Sequence, residues 1–128
     1  MWIRHDTVLG IHRRQLAEHG GSEGVRDEGL LDSALARPKN LLAYSDEPPD
    51  LQALAAAYAM GLVKSHPFVD GNKRTAYVVC RLFLILNGND IQASKEAKYL
   101  TFLGAADGSL SANELAEWIH EYSYVIKE

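Results

Sequence analysis

Apolar residues recur at three- and four-residue intervals along most of this chain, the spacing of one helix face, and breaks rich in Gly, Pro and Asp separate the runs. Val8, Leu9, Ile11 and Leu16 predict a first helix opened by Asp6 as N-cap and closed near residue 18 by His19-Gly20-Gly21. The Gly-rich stretch from His19 to Gly24 reads as a loop or a small β-hairpin flap. Asp27 caps a second, short helix through Leu30, Leu31, Ala34 and Leu35. It is expected to stop before Pro38, because proline disfavours helical backbone in the residue ahead of it. After Pro48-Pro49, Asp50 opens a third helix with Leu51, Leu54, Ala55, Tyr58, Ala59, Leu62 and Val63 on one face.

From Asn72 to Asn87 the chain is apolar nearly all round after its first turn, which predicts a helix in the middle of a bundle, closed at Gly88. Ser94 caps a fifth helix through about Ala106, and Asp107-Gly108 makes the next turn. Ser111-Ala112-Asn113-Glu114 is a capping box, and Leu115, Trp118, Ile119, Tyr122 and Ile126 follow it at helical spacing. The pattern predicts an all-α fold: about six helices around a central buried helix, in one domain over residues 1–128.

Composition narrows the class. With 47% hydrophobic and 23% charged residues and a net charge of -4, the chain reads as folded and mildly acidic. Its one cysteine, Cys80, allows neither an internal disulfide nor a thiolate metal cluster and suits a reducing cytosol. Met1 to Asp6 turn polar at once, so no signal peptide is expected, and no run reaches the roughly 18 apolar residues of a membrane span. The charge is uneven: residues 1–63 sum to -3, 64–81 to +3 and 82–128 to -4. A basic centre in an acidic body suits a small polyphosphate better than a nucleic acid, which needs an extended basic stripe.

That centre contains His66-Pro67-Phe68-Val69-Asp70-Gly71-Asn72-Lys73-Arg74, the link into the fourth helix. A helix N-terminus presents unpaired N–H groups and partial positive charge, an anion site to which Gly71 adds close backbone approach. Lys73 and Arg74 oppose the helix dipole at about 0.3–1 kcal/mol each, a conflict that a bound anion relieves. Asp70 would repel phosphate unless a divalent cation lies between them; it serves equally as an ordinary N-cap. His66 is a candidate general base. Phe68 is expected to point inward and Cys80 to be core, while Arg81 is a ligand or an ion-pair partner.

The nine-residue motif resembles the signature of the Fic/Doc superfamily, whose Fic branch reads His-Pro-Phe-x-Asp/Glu-Gly-Asn-Gly-Arg. Arg26-Asp27-Glu28-Gly29-Leu30-Leu31-Asp32-Ser33-Ala34-Leu35-Ala36-Arg37-Pro38 resembles the segment that precedes the core in death-on-curing (Doc) proteins. Two departures point to the Doc branch: Lys73 stands where Fic enzymes have a second glycine, and Tyr77 where they have a second arginine. The resemblance implies a toxin kinase that, with ATP and Mg2+, transfers the γ-phosphate to a threonine of elongation factor Tu and stops translation in the cytoplasm. It implies His66 as base, Asp70 as Mg2+ ligand, and Gly71, Asn72, Lys73 and Arg74 as the nucleotide-phosphate site. The Fic inhibitory pattern Ser/Thr-x-x-x-Glu-Gly/Asn is absent, so control is expected from a separate antitoxin with a segment that folds on binding. The alternatives are AMP transfer and nucleotide binding without catalysis; direct nucleic-acid binding is not expected.

Overall fold

A computed structural model describes residues 1–127. Six helices form in order: α1 (His5–His19), α2 (Glu28–Tyr44), α3 (Leu51–Ser65), α4 (Asn72–Leu86), α5 (Lys95–Asp107) and α6 (Ala112–Tyr122). Four start where a local cap dictates. Asp27, Asp50, Ser94 and Ser111 each accept a backbone N–H of the first turn, and Ser111 and Glu114 close a complete capping box. Asp6 does not cap α1. Arg4 occupies that position without a side-chain cap, and Asp6 lies in the first turn, paired with Arg4 at 3.0 Å.

Three expectations change. Helix α2 runs through Pro38 to Tyr44 instead of stopping before the proline. Pro38 is buried with Leu31, Ala34 and Leu35, and this packing outweighs the one helical bond that proline cannot make. The central helix is α3, not α4: every residue from Leu54 to Val63 is buried, with α2, α4, α5 and α6 packed around it. Its small residues permit this. A Cβ on Gly61 would lie 2.9 Å from the Ala34 carbonyl oxygen, so α2 and α3 meet at backbone distance. Helix α4, by contrast, exposes Lys73, Arg74, Arg81, Ile85 and Leu86.

The third change is at the C-terminus, where α6 ends at Tyr122 and the helical spacing toward Ile126 is overridden. Strand β2 (Ser123–Val125) pairs antiparallel with β1 (Asn89–Ile91), in the register Asn89↔Val125 and Ile91↔Ser123. This small sheet ties the end of α4 to the end of α6. His19 ends α1, and from residue 20 to 24 the loop alternative forms, followed by a single bridge between Val25 and Phe68. Buried side chains from all six helices make one core, with Tyr58 and Phe83 at its middle, 5.1 Å between ring centroids. The Tyr58 hydroxyl accepts the Ile3 N–H at 2.9 Å, which satisfies the polar end of a fully buried ring.

Candidate active site

The motif leaves the C-terminus of α3 and enters α4, so two helices packed through the core fix its ends. His66 caps α3 with φ 48 and ψ 57, the only non-glycine with positive φ among the described residues. That left-handed geometry costs roughly 1–2 kcal/mol for a residue with a side chain, so the surroundings must impose it. Around it, Arg26 donates from Nε to the His66 carbonyl and from Nη2 to the Ser65 carbonyl, both at 2.8 Å. The backbone N–H groups of Arg26 and Asp27 reach the Pro67 carbonyl at 2.7 and 3.1 Å.

Phe68 turns inward and is 1% exposed. Asn72 brackets its backbone: Oδ1 accepts the Phe68 N–H and Nδ2 donates to the Phe68 carbonyl, each at 3.0 Å. These two bonds set the amide's orientation, and Nδ2 then faces His66 Nδ1 at 3.4 Å. The Asn72 side chain is thus buried inside the loop.

Beneath Phe68 lies His12 of α1, its ring stacked on the phenyl at 3.7 Å between centroids and 9° between planes. His12 Nε2 is 2.8 Å from the Asp70 carbonyl; a carbonyl only accepts, so this nitrogen carries the proton. A trans peptide sets N–H opposite C=O, so anchoring the Asp70 carbonyl on His12 aims the Gly71 N–H away from α1. There it donates to Asp70 Oδ1 at 2.8 Å, while the Ser22 N–H donates to Oδ2 at 3.3 Å. These two N–H groups, with the Arg74 charge, hold the Asp70 carboxyl below the usual carboxylate range. Gly21 allows this approach: its φ is +124, and a Cβ there would fall 2.8 Å from Asp70 Oδ2.

Gly71, at φ 77, is the N-cap of α4, so Asp70 does not cap that helix. The first helical bond runs from the Thr75 N–H to the Gly71 carbonyl at 3.0 Å, which leaves the N–H groups of Asn72, Lys73 and Arg74 outside the ladder. Lys73 and Arg74 are exposed beside them. A hollow of about 240 Å³ is lined by His66, Val69, Asp70, Gly71, Asn72, Lys73 and Arg74. A larger hollow of about 560 Å³ near the start of α1 gathers no comparable set, since His5 there is already paired with Asp32 and Glu28.

The other candidates lie elsewhere. Cys80 is fully buried and burial pushes its thiol up to about 12, so it is an inert core residue. Arg81 forms a two-bond ion pair with Asp90 at 2.8 and 3.1 Å, which settles the choice left open for it. Tyr77 meets Phe102 of α5 edge-on at 5.3 Å. Sequence reasoning missed His12, though its spacing from Val8 and Leu16 puts it on the buried stripe of α1. Ser22 acts across the fold and leaves no local signal, and Arg26, though it opens the Doc-like segment, carries no local sign of its contact with His66.

The Fic/DOC family model matches residues 2–84, from α1 through most of α4. The chain belongs to the Fic/DOC family. "Protein kinase doc" of Escherichia phage P1 is 33% identical over 115 residues, 90% of each chain. "Toxin Doc" of Mycolicibacterium smegmatis is 46% identical over 74 residues, 58% of this chain and 57% of that relative. These relatives set the domain on the Doc branch, in accord with Lys73 and Tyr77 at the two positions that separate the branches.

No cluster of three or more His, Cys, Asp or Glu able to hold a metal exists among the described residues. A cation in the hollow would find one carboxylate in its lining, Asp70. Asp70 fits that need: it is exposed and each oxygen receives a single N–H, leaving a lone pair on each. No helix among the described residues is long and apolar enough to cross a membrane.

Proposed function

We propose that this protein is a Doc-type toxin kinase that moves the γ-phosphate of ATP to a threonine hydroxyl of elongation factor Tu, halting translation in the cytoplasm. One observation carries the reading. A candidate base, two cations and the open N-terminus of α4 converge on a hollow of about 240 Å³. That volume is below the range of about 300–1,000 Å³ that encloses a whole small ligand, so it suits the phosphates, with the nucleoside on the adjoining surface.

The substrate oxygen attacks the γ-phosphorus, the bond to the oxygen bridging the β-phosphate breaks, and the hydroxyl proton passes to His66. In its neutral form His66 keeps one ring nitrogen unprotonated to take that proton, and Asn72 Nδ2 approaches its Nδ1 only at 3.4 Å. The N–H groups of Asn72, Lys73 and Arg74, with the two side-chain cations, stabilise negative charge on the phosphates as it develops. Mg2+, held by Asp70 and the phosphates, would supply charge neutralisation and in-line alignment. A cognate antitoxin that folds on the domain would keep it silent.

AMP transfer is the second reading, favoured by the shared motif. Against it, Lys73 adds a long cation where that branch has glycine, and Tyr77 packs on Phe102 where that branch has arginine. Purified protein, Mg2+, elongation factor Tu and ATP labelled at either the γ or the α position separate them. Label on the factor from the γ position alone is expected, and label from the α position overturns the kinase assignment. His66→Ala is expected to abolish transfer while sparing nucleotide binding; unchanged turnover would remove it as the base. Tight ATP binding with no transfer to any protein would make this a binding module.

A further inference from the structure

Arg26 opens the Doc-like segment, yet nothing in the phosphate site uses it. The geometry points to Arg26 as the positioning residue that holds His66 in its left-handed conformation, an inference that rests on the kinase reading for its catalytic consequence. The carbonyls of Ser65, His66 and Pro67 are three consecutive acceptors. All three are taken by Arg26 or its neighbour: Nη2 to Ser65, Nε to His66, and the backbone N–H groups of Arg26 and Asp27 to Pro67.

Each bond has a physical reason. A helix ends with carbonyls that lack helical donors and with partial negative charge, and the guanidinium answers both. The last carbonyls of α3 are therefore directed at one fixed fork, and the backbone turns at His66 to satisfy it. Glycine is the usual residue at such a turn, yet His66 occupies it with its ring on the wall of the hollow. Asp27 is simultaneously the N-cap of α2, so the fork is mounted on a rigid element packed against α3. The segment thus couples the start of α2 to the direction in which the His66 ring points. Lysine cannot replace the fork, because a single ammonium cannot hold the two diverging carbonyls with the same planar geometry.

Backbone NMR of His66 and transfer kinetics test the proposal together, on Arg26→Ala and Arg26→Lys. In Arg26→Ala the His66 HN–Hα coupling and Cα shift are expected to leave their left-handed values, and kcat to fall by about tenfold or more with KM for ATP within about twofold. Because Arg26 is exposed, added methylguanidinium should recover part of the activity and of the His66 shift. Arg26→Lys should show the same displacement in weaker form, and it carries the test if the alanine variant does not fold. His66 resonances unchanged in the folded variant would overturn the assignment. So would a raised KM for ATP at constant kcat, the mark of a direct phosphate ligand. If the unaltered protein transfers no phosphate the kinase reading fails, while the His66 resonances still decide what Arg26 does.

Discussion

Replacing Asn72 with Ala removes both bonds that bracket Phe68 and leaves a buried N–H and a buried carbonyl with no partner. Each such group costs about 1–3 kcal/mol, and the better helix propensity of alanine returns roughly 0.5 kcal/mol. The net expectation is a loss of about 1.5–5.5 kcal/mol. For a chain of this size that lowers Tm by roughly 6–20 °C. Asn72→Asp separates the two bonds: it keeps the acceptor for the Phe68 N–H but sets a second oxygen against the Phe68 carbonyl, where Nδ2 now donates at 3.0 Å. It should therefore also be less stable than the unaltered protein at neutral pH. Urea denaturation followed by circular dichroism measures both variants, with ATP binding measured on each. Asn72→Ala within about 0.5 kcal/mol of the parent would refute the reasoning, because that is less than the cost of a single orphaned buried group.

Gly61→Ala would set a Cβ 2.9 Å from the Ala34 carbonyl and 3.1 Å from its Cα, so α2 and α3 must move apart; a loss of about 1–3 kcal/mol in urea denaturation is expected. His12→Phe keeps a stacked ring on Phe68 but strips the Asp70 carbonyl of its donor, and should cost about 1–3 kcal/mol in the same assay. The Arg81 guanidinium holds the Asp90 carboxyl below its usual range, and Asp50, despite partial burial, is held low by the Ala53 N–H and His120. A depressed carboxylate stabilises the fold fully above its unfolded pKa, about 4, and loses that contribution as pH falls through its folded value. Thermal melts should therefore drop on acidification below about pH 4, and Asp90→Asn should flatten that acid limb while lowering Tm at pH 7; an unchanged limb would remove the Arg81–Asp90 pair from the account.

Helix starts are legible from local chemistry. Asp27, Asp50, Ser94 and Ser111 cap helices with bonds to groups a few residues away, and that chemistry is complete within one turn. The anion-site logic of Gly71 to Arg74 is also local, since it needs only a helix start with bare N–H groups and two cations. The misses share the opposite character. Pro38 inside α2 is tolerated because its burial outweighs one backbone bond. Ser123 to Val125 left helical geometry because partners from Asn89 to Ile91, over thirty residues earlier, completed a ladder.

By itself, then, the chain determined the all-α class, its six helices, four of their caps and the segment from which seven residues line the hollow at the start of α4. The tertiary structure alone decided that α3 occupies the centre, because Gly61 and its alanines let neighbours approach to backbone distance. It also decided which distant side chains shape the hollow: His12 from α1 under Phe68, Ser22 on Asp70, and Arg26 behind His66. Side chains that meet across forty or more positions leave no periodicity, because their contact exists only once the core has brought their helices together.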